Sequence, residues 1–376
     1  MIRRTLEPRR EWQTKVESVG MNYHTIDGSV YWDESACYWF EASEIDELEN
    51  ATGALYDLCC RATETVIRNN RFAELRIPEQ FRDYIIRSWE DDEPSLYGRF
   101  DLCYSGSEPP RMLEFNADTP TALLEAAVVQ WFWQQERFPS ADQFNSIHEK
   151  LISSWRSWPV KPDLIHFASA AGSSEDLGNL EYLRDTAIQG GLVTNRLFIE
   201  EIGWDQAGSR FVDLENRTIQ DIFKLYPWEW LLQEQFGPCL PESGLRLIEP
   251  AWKLIMSCKG ILPLLWELFP DHPNLLPAYF DEKHVPGDRV IKPLYSREGG
   301  NVRIIRGDDV FTTGGSYGDE GTICQKYQPL PCFDGNYPVV GSWIIGGEPA
   351  GIGIREDRSE ITTNTSRFIP HYFTEE

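Results

Sequence analysis

The most constraining feature of this sequence is a change of hydrophobic period along the chain. Between residues 161 and 223 the order is DLIHFAS, AGSSEDLGN, LEYLRDTAIQ and LVTNRLF. A strand, a Gly/Ser loop, a helix and a second strand in this order predict a βαβ unit with a parallel sheet. Beyond residue 286 the chain reads as strands, namely DRVIKPL, NVRIIRG, TICQKYQ, PVVGSWIIGG and AGIGIRED. The sequence therefore predicts a small α/β lobe followed by a strand-rich region.

The first third of the chain contains both helical and extended patterns. Apolar residues recur at helical spacing over 46–69 and over 79–89, which predicts two amphipathic helices. YGRFDLC (97–103) and RMLEFN (111–116) read as strands, and YSGSEPP between them is rich in turn residues, so this segment predicts a β-hairpin. Apolar patterns over 122–136 and 252–268 predict further helices. The fold class is therefore expected to be α+β.

Size and charge narrow the class of function. A chain of 376 residues is long enough for two or more lobes with their own cores. Its formal net charge of −25 disfavours binding to a nucleic-acid backbone, because such proteins concentrate Lys and Arg on one face. The same charge would attract cationic small molecules such as polyamines, although acidic surfaces also serve solubility. We expect small-molecule substrates and no nucleic-acid partner.

The cysteines and the hydropathy pattern bear on location. Eight Cys lie scattered, with no CxxC pair and no regular spacing to the six His, so we expect reduced thiols and no zinc site. No run of about 18 apolar residues predicts a membrane span, and the basic segment MIRRTLEPRREW leads into no apolar stretch. These features predict a cytoplasmic protein with no membrane partner.

The predicted hairpin carries four polar side chains that we expect on one face. Side chains two residues apart on a strand share a face, so Arg99 lies with Asp101 and Glu114 with Asn116. If the hairpin pairs symmetrically about its turn, Arg99 lies opposite Asn116 and Asp101 opposite Glu114. Two opposed carboxylates repel unless a cation neutralises them, and an oxygen-only set suits Mg²⁺. A solvated hairpin with an Arg–Asp ion pair is the alternative.

A second candidate is KPLYSREGGNVRI, residues 292–304, in which a strand carrying Lys292 enters a loop with Gly299 and Gly300. Glycines let backbone amides approach phosphate oxygens, and a flanking Lys supplies positive charge. The segment is neither GxxxxGK[ST] nor GxGxxG after a strand, so it predicts a phosphate-binding β-loop-β unit of another kind. An ordinary hairpin is the alternative.

Four segments, in order, resemble the glutathionylspermidine synthetase family and its shorter relatives described as acid–amine ligases. They are RFDL with LEFNADTPT, EPAWKLIMSCKGILPLLWELFPDHPNLL, IKPLYSREGGNV and GIGIRED, and the resemblance covers most of the chain. It implies an ATP-grasp fold in permuted order with a smaller α/β pre-ATP-grasp lobe. It also implies three parts: N-terminal helices with the metal-binding hairpin of the ATP-grasp core (1–155), the α/β lobe (156–235) and the nucleotide-binding part (236–376).

The resemblance also implies roles for individual residues. Asp101, Glu114 and Asn116 would hold two Mg²⁺ ions, and Arg99 would contact ATP and stabilise the phosphoryl group during transfer. The other implied ATP contacts are Lys259, Lys292, Glu298, Gly299, Gln325, Lys326, Tyr327, Gln328, Arg355, Glu360, Ile361 and Thr362. Without the resemblance, Lys259 would be read as a helix-surface lysine and Arg355 as the charged end of an edge strand.

The substrate-binding candidates are Thr119, Glu175, Asp176, Lys224 and Glu229. Glu175 and Asp176 follow AGSS, where they would receive an ammonium group; an acidic pair favoured by a helix N-terminus is the alternative. The surroundings of Lys224 and Glu229 are aromatic and equally compatible with core. The chain departs from the family pattern at Cys258, where Asn is usual, and at Val339, near a nucleotide-contacting Gln, which affects expectations about nucleotide recognition.

The implied function is that of an ATP-dependent carbon–nitrogen ligase. It would use ATP and Mg²⁺ to join an acid, such as a peptide carboxylate, to a polyamine or other amine through an acyl phosphate. No amidase-like part accompanies it, so hydrolysis of the product is not expected. The alternatives are a non-catalytic relative that binds a nucleotide or polyamine, and a metal-dependent phosphohydrolase. The retained Arg99 and metal ligands favour the ligase over the binder, and Lys259 with Lys292 favours ATP over simple hydrolysis.

Overall fold

The computed structural model describes residues 1–159 and 161–375. Its first part contains β1 (Ile2–Thr5), α1 (Trp12–Ser18), β2 (Thr25–Ile26), β3 (Ser29–Val30), β4 (Ala36–Glu41), α2 (Ala42–Arg68), α3 (Arg82–Glu90), β5 (Tyr97–Cys103), β6 (Arg111–Asn116), a π-helical turn (Glu125–Val129), α4 (Gln130–Arg137) and α5 (Ile147–Arg156). The middle part contains β7 (Ile165–Ser169), α6 (Ser174–Gln189), β8 (Thr194–Phe198), β9 (Gly203–Asp205), β10 (Arg210–Val212), β11 (Asp221–Leu225), α7 (Trp228–Leu231) and β12 (Arg246–Ile248). The last part contains α8 (Lys253–Ser257), α9 (Ile261–Leu268), β13 (Ala278–Tyr279), β14 (Arg289–Pro293), β15 (Arg303–Arg306), β16 (Asp309–Thr312), β17 (Thr322–Lys326), β18 (Tyr337–Ile345), β19 (Glu348–Asp357), β20 (Arg367–Ile369) and β21 (His371–Thr374).

The middle part contains a parallel sheet, and this sheet reaches β12, beyond residue 235 where the α/β lobe is predicted to end. The sheet has the order β12-β11-β7-β8, and every pairing in it is parallel. Helix α6 connects β7 to β8, which confirms the predicted βαβ unit. In open parallel sheets, ligands bind beyond the carboxyl ends of the strands. The ends of β7 and β11 are therefore the places where a substrate-binding residue is expected.

A second sheet joins distant parts of the chain. It has the order β20-β19-β18-β5-β6 and is antiparallel, so the predicted hairpin β5–β6 lies beside strands from the last part of the sequence. Helix α2, predicted over 46–69, packs against β18 and β19. The residues of the hairpin thus take their positions from a sheet that is completed only by the C-terminal strands.

A third sheet has the order β13-β17-β14-β15-β16 and carries the segment 292–304 between β14 and β15. All four of its pairings, β13–β17, β14–β17, β14–β15 and β15–β16, are antiparallel. A smaller sheet, β1-β4-β21, ties the two ends of the described chain together. No helix in the described residues is long and apolar enough to cross a membrane.

Two predicted helices differ from the expectation. The helix predicted over 122–136 contains the π-helical turn Glu125–Val129 before α4, and its first amides, Leu123 N and Leu124 N, donate to Asn179 Oδ1 on α6. The segment 252–268, predicted as one helix, forms two helices, α8 and α9. The helix is interrupted at Lys259, whose backbone N–H donates to the carbonyl oxygen of Leu294. Hydrophobic spacing alone does not reveal either irregularity.

The start of β5 is fixed by a buried charge pair. The Glu249 carboxylate accepts hydrogen bonds from Leu96 N and Tyr97 N, each at 3.0 Å, and Lys253 Nζ donates to Tyr97 O at 3.1 Å. Both charged side chains are fully buried. Buried charges are stable only when paired and hydrogen-bonded, so this pair holds the strand that leads into the hairpin face.

We expect Phe100→Ala to destabilise the protein by about 3–5 kcal/mol. Phe100 is buried, and its ring stacks on Phe115 with centroids 3.9 Å apart, beneath the polar face of the hairpin. Urea unfolding measures the change. Val310→Ala, at an exposed edge strand, is the control and should change stability by about 0.5 kcal/mol or less. Equal losses in both variants would contradict this account of the core.

Candidate active site

The register of the hairpin brings the four predicted polar residues together. Arg99 pairs with Asn116 and Asp101 pairs with Glu114, as the symmetric hairpin predicts, and a bulge follows Asp101. All four side chains line one cleft, whereas Phe100 and Phe115 lie beneath them in the core. The predicted face is therefore confirmed as an arrangement of residues, and its function is considered below.

Each carboxylate of the face has a cationic neighbour. Arg99 donates from Nε to Asp101 Oδ1 at 2.7 Å and from Nη2 to Oδ2 at 3.1 Å. Lys259 Nζ lies 3.3 Å from Glu114 Oε2. Burial alone would raise the pKa of Glu114, but Lys259 and Lys292 lower it to about 2. Glu114 is therefore ionised at neutral pH.

The two lysines converge from different elements. Lys259 comes from the break between α8 and α9, and its Nζ donates to Ser296 O at 2.7 Å. Lys292 on β14 donates from Nζ to Leu113 O and to Gln325 Oε1, both at 2.8 Å. Burial lowers the pKa of Lys292 to about 8. Because neutral carbonyl oxygens hold most of these ammonium contacts, the positive charge remains available to an anion in the cleft.

The cleft lies between the hairpin sheet, the β14–β17 sheet and the carboxyl ends of the α/β strands β7 and β11. Most of the predicted site residues line it. They are Arg99, Asp101, Glu114, Asn116, Thr119, Asp176, Lys259, Lys292, Glu298, Gly299, Gln325, Lys326, Tyr327, Gln328, Arg355, Glu360, Ile361 and Thr362. Val339 lines it as well, whereas Cys258 is buried with its Sγ facing Leu75 O. Of the two positions that depart from the family pattern, Val339 thus lines the cleft and Cys258 does not.

Arg355 and Glu360 line the cleft on β19 and on the loop that follows it. The Arg355 guanidinium donates to the carbonyl oxygens of Ser366 and Thr363, at 2.9 and 2.8 Å, and so shapes the loop that follows β19. Glu360 in that loop accepts a hydrogen bond from Tyr327 OH and forms an ion pair with Arg306 at 3.0 Å. This contact joins the loop to the β14–β17 sheet across the cleft.

Three predicted substrate-binding residues are not among the residues that line the cleft. Lys224 is buried and donates to Asp118 Oδ1 at 2.6 Å. Glu229 accepts from Arg297 Nη2 at 3.0 Å. Glu175 interacts with the side chain of Thr121, which does line the cleft. Lys224 thus joins the end of β11 to the segment that follows β6, which explains its aromatic, buried surroundings.

Arg297 is a cleft residue that the sequence prediction missed. It lies in the glycine-bearing loop after β14 and donates from Nη1 to Thr119 Oγ1 at 2.6 Å, in addition to its contact with Glu229. Farther along the loop, Glu298 and Gly299 have positive φ angles of 54° and 68°. A Cβ atom on Gly299 would lie 2.6 Å from Ile361 Cγ2, so glycine is required for this close approach. The signal available in the sequence was that Arg297 is the only basic residue between Lys292 and Arg303.

The oxygen ligands of the face fit a divalent cation. Asp101 and Glu114 supply carboxylates, and Asn116 Nδ2 lies 3.1 Å from Asp101 Oδ2 and 3.4 Å from Glu114 Oε1. Mg²⁺ takes one or two carboxylates and completes its shell with water and substrate phosphates. Among the described residues, no group of three or more His, Cys, Asp and Glu side chains is placed to hold a metal.

An acidic pair opposed by several cations in a cleft between sheets is typical of enzymes that handle phosphates together with a divalent metal. Comparison with known proteins narrows this class. The family model described as glutathionylspermidine synthase preATP-grasp matches residues 3–374. The chain belongs to this family.

Three individual relatives are similar to this chain over most of its length. A Haemophilus influenzae protein named "Putative acid--amine ligase" is 41% identical over 374 residues, covering 95% of both chains. Trypanothione synthetase of Crithidia fasciculata is 28% identical across 84% of this chain and 53% of its own length. The bifunctional glutathionylspermidine synthetase/amidase of Escherichia coli is 26% identical across 96% of this chain and 63% of its own length. The chain thus spans between half and two thirds of these last two relatives.

The fold is also found in a solved structure of low sequence similarity. A glutathione synthetase-like effector from Globodera pallida superposes with a TM-score of 0.58 at 10% identity, covering 97% of this chain and 96% of that one. This likeness shows that the two proteins share a mixed helix-and-sheet fold.

We expect Lys224→Met to destabilise the protein by about 3–5 kcal/mol, because it leaves Asp118 as an unpaired buried charge. In the double variant Asp118→Asn/Lys224→Met the loss should be smaller than the sum of the single losses. Chemical denaturation of the four proteins measures this coupling. Arg184→Met, which removes an exposed ion pair with Glu181, is the control and should be nearly neutral. Additive losses would show that the contact does not couple β11 to the segment after β6.

Proposed function

We propose that this protein is an ATP-dependent acid–amine ligase that forms an amide bond through an acyl phosphate. The observation that carries the proposal is the convergence of the Asp101–Glu114 pair with Arg99, Lys259 and Lys292 in one cleft. Membership of a family whose relatives bear the names of acid–amine ligases and synthetases supports it.

The chemistry explains why both kinds of charge are required. A carboxylate is a poor acyl donor because an oxide would have to leave, so it must first be phosphorylated by ATP. The phosphoryl group in transfer spreads negative charge over its oxygens, and the enzyme acts mainly through positioning and electrostatic stabilisation. Arg99, Lys259 and Lys292 supply that stabilisation from three separate elements. An amine then attacks the acyl phosphate, giving the amide, ADP and phosphate.

The residues fit Mg²⁺ as the metal, and Asp101, Glu114 and Asn116 would hold two such ions. When bound, the metal would neutralise charge on the ATP phosphates and fix their orientation. Arg99 and Lys259 lie against Asp101 and Glu114, so their positive charges offset the repulsion between the two carboxylates.

The nucleotide would lie along the β14–β17 sheet. The segment 325–328 begins at the end of β17 and would present backbone groups to adenine, while residues 360–362 and Arg355 line the opposite wall. The hairpin that would hold the metal precedes these nucleotide-binding strands in the sequence but pairs with β18 in space. This order supports an ATP-grasp core in permuted arrangement, shared by residues 1–155 and most of 236–376. Residues 156–235 would form the pre-ATP-grasp lobe, whose sheet also takes in β12 beyond that boundary.

The substrates would bind at the carboxyl ends of the α/β strands. Ala170, Tyr226 and Trp230 line this end of the cleft together with Thr119 and Asp176. Asp176 would attract a cationic amine, and the loop with Arg297 would exclude water from the acyl phosphate. A peptide carboxylate and a polyamine are the substrates suggested by the names of the longer relatives.

We expect Arg99→Ala to lower acid- and amine-dependent ADP release by about 100-fold or more, because a stabilising charge is lost. The assay measures ADP with Mg-ATP across a matrix of acids (glutathione, short peptides) and amines (spermidine, putrescine, amino acids). Arg210→Ala, in the β9–β10 hairpin, is the control. ATP binding without turnover by the wild type would identify a nucleotide-binding relative instead, and phosphate release without an amine would identify a hydrolase.

We expect Gly299→Ala to raise the KM for ATP by about tenfold or more. Its new Cβ would press on Ile361 Cγ2 and on Thr362 O at 2.8 Å, which displaces the loop from the cleft wall. Gly287→Ala is a matched control, since Gly287 also has a positive φ of 77° but has no atom within 4 Å of the place where a Cβ would lie. Both variants carry the same backbone strain, so an equal effect on KM would rule out the contact as its cause.

A further inference from the structure

The side chain of Gln325 makes contacts that its place in the chain does not suggest. Gln325 lies near the end of β17, and its backbone belongs to the segment proposed to face adenine. The residue is buried, with 2% of its surface exposed. Its side-chain Oε1 accepts a hydrogen bond from Lys292 Nζ at 2.8 Å, and its Nε2 donates to Met112 O at 3.2 Å. Both ends of the amide are therefore used within the protein.

These two contacts define the orientation of the amide. The carbonyl oxygen of Met112 accepts hydrogen bonds but does not donate them, so it must face the amide nitrogen. An ammonium group donates but does not accept, so Lys292 must face the amide oxygen. Turning the amide over would place acceptor against acceptor and donor against donor. The Gln325 side chain thus has one satisfactory orientation, in which its oxygen faces Lys292.

The Lys292 ammonium is held at two of its three N–H donors. Leu113 O accepts one hydrogen bond and Gln325 Oε1 accepts another, both at 2.8 Å. The three donors of an ammonium group lie at tetrahedral angles to one another, so two fixed acceptors also fix the direction of the third donor. Lys292 lines the cleft and is buried to 9% exposure. Gln325 therefore helps to decide where in the cleft this charge acts.

The same amide joins two walls of the cleft. Gln325 on β17 is the Cα partner of Val290 on β14, and Lys292 lies two residues farther along β14 on the same face. Long side chains reach such diagonal neighbours across a pair of strands. The acceptors Met112 and Leu113 belong to β6 in the hairpin sheet, the strand that carries one carboxylate of the acidic pair. Gln325 and Lys292 thus hold the β14–β17 sheet against that strand.

The partner that Gln325 offers to the lysine is neutral. Glutamate has nearly the same size, and its carboxylate would bind an ammonium group more strongly than an amide does. A carboxylate would also neutralise Lys292 and add a negative charge to a cleft that already holds Asp101 and Glu114. An amide oxygen holds the ammonium in place and leaves its charge to act on an anion. The chemical character of residue 325, and not only its size, therefore matters.

We propose that the Gln325 side chain is a positioning group, which orients the Lys292 ammonium towards the nucleotide phosphates and leaves its charge unneutralised. The inference rests on the proposed function, in which Lys292 stabilises the phosphoryl group during transfer. The side chain of Gln325 does not touch the reacting atoms and acts through the lysine. Its effect on nucleotide binding should therefore disappear when the lysine is absent.

The test measures the Kd of Mg-ADP by isothermal titration calorimetry in the whole 376-residue chain. Gln325→Met removes the acceptor and should raise this Kd by about 2-fold to 10-fold, the equivalent of one hydrogen bond. Gln325→Glu keeps an acceptor for the ammonium but neutralises it, and should raise the Kd by about 10-fold or more. A purely structural link would give the reverse order, because glutamate is the closer substitute in shape.

A double-mutant cycle separates positioning from packing. Lys292→Met removes the ammonium group, and adding Gln325→Met to this variant should change the Kd of Mg-ADP by less than about 2-fold. Gln206→Met, at an exposed position in the turn between β9 and β10, is the matched control and should leave the Kd unchanged. Thermal unfolding establishes that each variant is folded. If Gln325→Met does not fold, Gln325→Asn, which keeps the amide but shortens the side chain, takes its place in the cycle.

The outcomes separate this inference from the ligase function. An equal effect of Gln325→Met with and without Lys292, or a larger effect than that of Gln325→Glu, would overturn the inference alone. The expected pattern of Kd values in a wild-type protein that releases no ADP with any acid and amine would support the inference and overturn the ligase function. Wild-type protein that binds no Mg-ADP would overturn both.

Discussion

The antiparallel pairing of β5 with β18 is the interaction on which the rest of the site depends. It places Arg99 beside Trp343 and Asp101 beside Gly341, and β6 then adds Asn116 and Glu114 on the outer side. Without β18 the hairpin would be a two-stranded unit, which is marginally stable in water. The polar face is therefore held by a core that the last part of the chain completes.

That face combines opposite charges in a way that the net charge of the chain does not suggest. The protein carries a formal charge of −25, yet six basic residues line one cleft: Arg99, Lys259, Lys292, Arg297, Lys326 and Arg355. Neutral carbonyl oxygens satisfy many of their hydrogens, including Leu113 O for Lys292 and Ser296 O for Lys259. A cation held by carbonyls keeps its charge for an incoming anion, whereas one neutralised by a carboxylate does not. Lys292 and Arg355 donate to carbonyl oxygens, whereas Arg99, Lys259 and Arg297 also lie against the carboxylates of Asp101, Glu114 and Glu229.

The parts of the fold that the sequence predicts are those governed by local rules. Period-two patterns and turn residues located β5 and β6 and their register, and the βαβ pattern located β7, α6 and β8. The π turn at Glu125 was missed because an inserted residue leaves the apolar density of the helix unchanged. The ion pair between Lys224 and Asp118 was not predicted, because the two residues lie 106 positions apart in the sequence. Pairings over such distances follow from tertiary structure, and spacing along one chain does not report them.

The same long-range pairing has a consequence for biosynthesis. Strand β5 meets its partner β18 only after roughly 240 more residues, since Leu102 pairs with Val340. At synthesis rates of about 5–20 residues per second, the acidic hairpin would wait on the order of 10–50 s on the ribosome with one edge unpaired. An unpaired strand edge exposes backbone N–H and C=O groups that can pair with another chain. The polar face of this hairpin thus has a second use, since two carboxylates and an arginine make the unfinished edge a poor surface for aggregation.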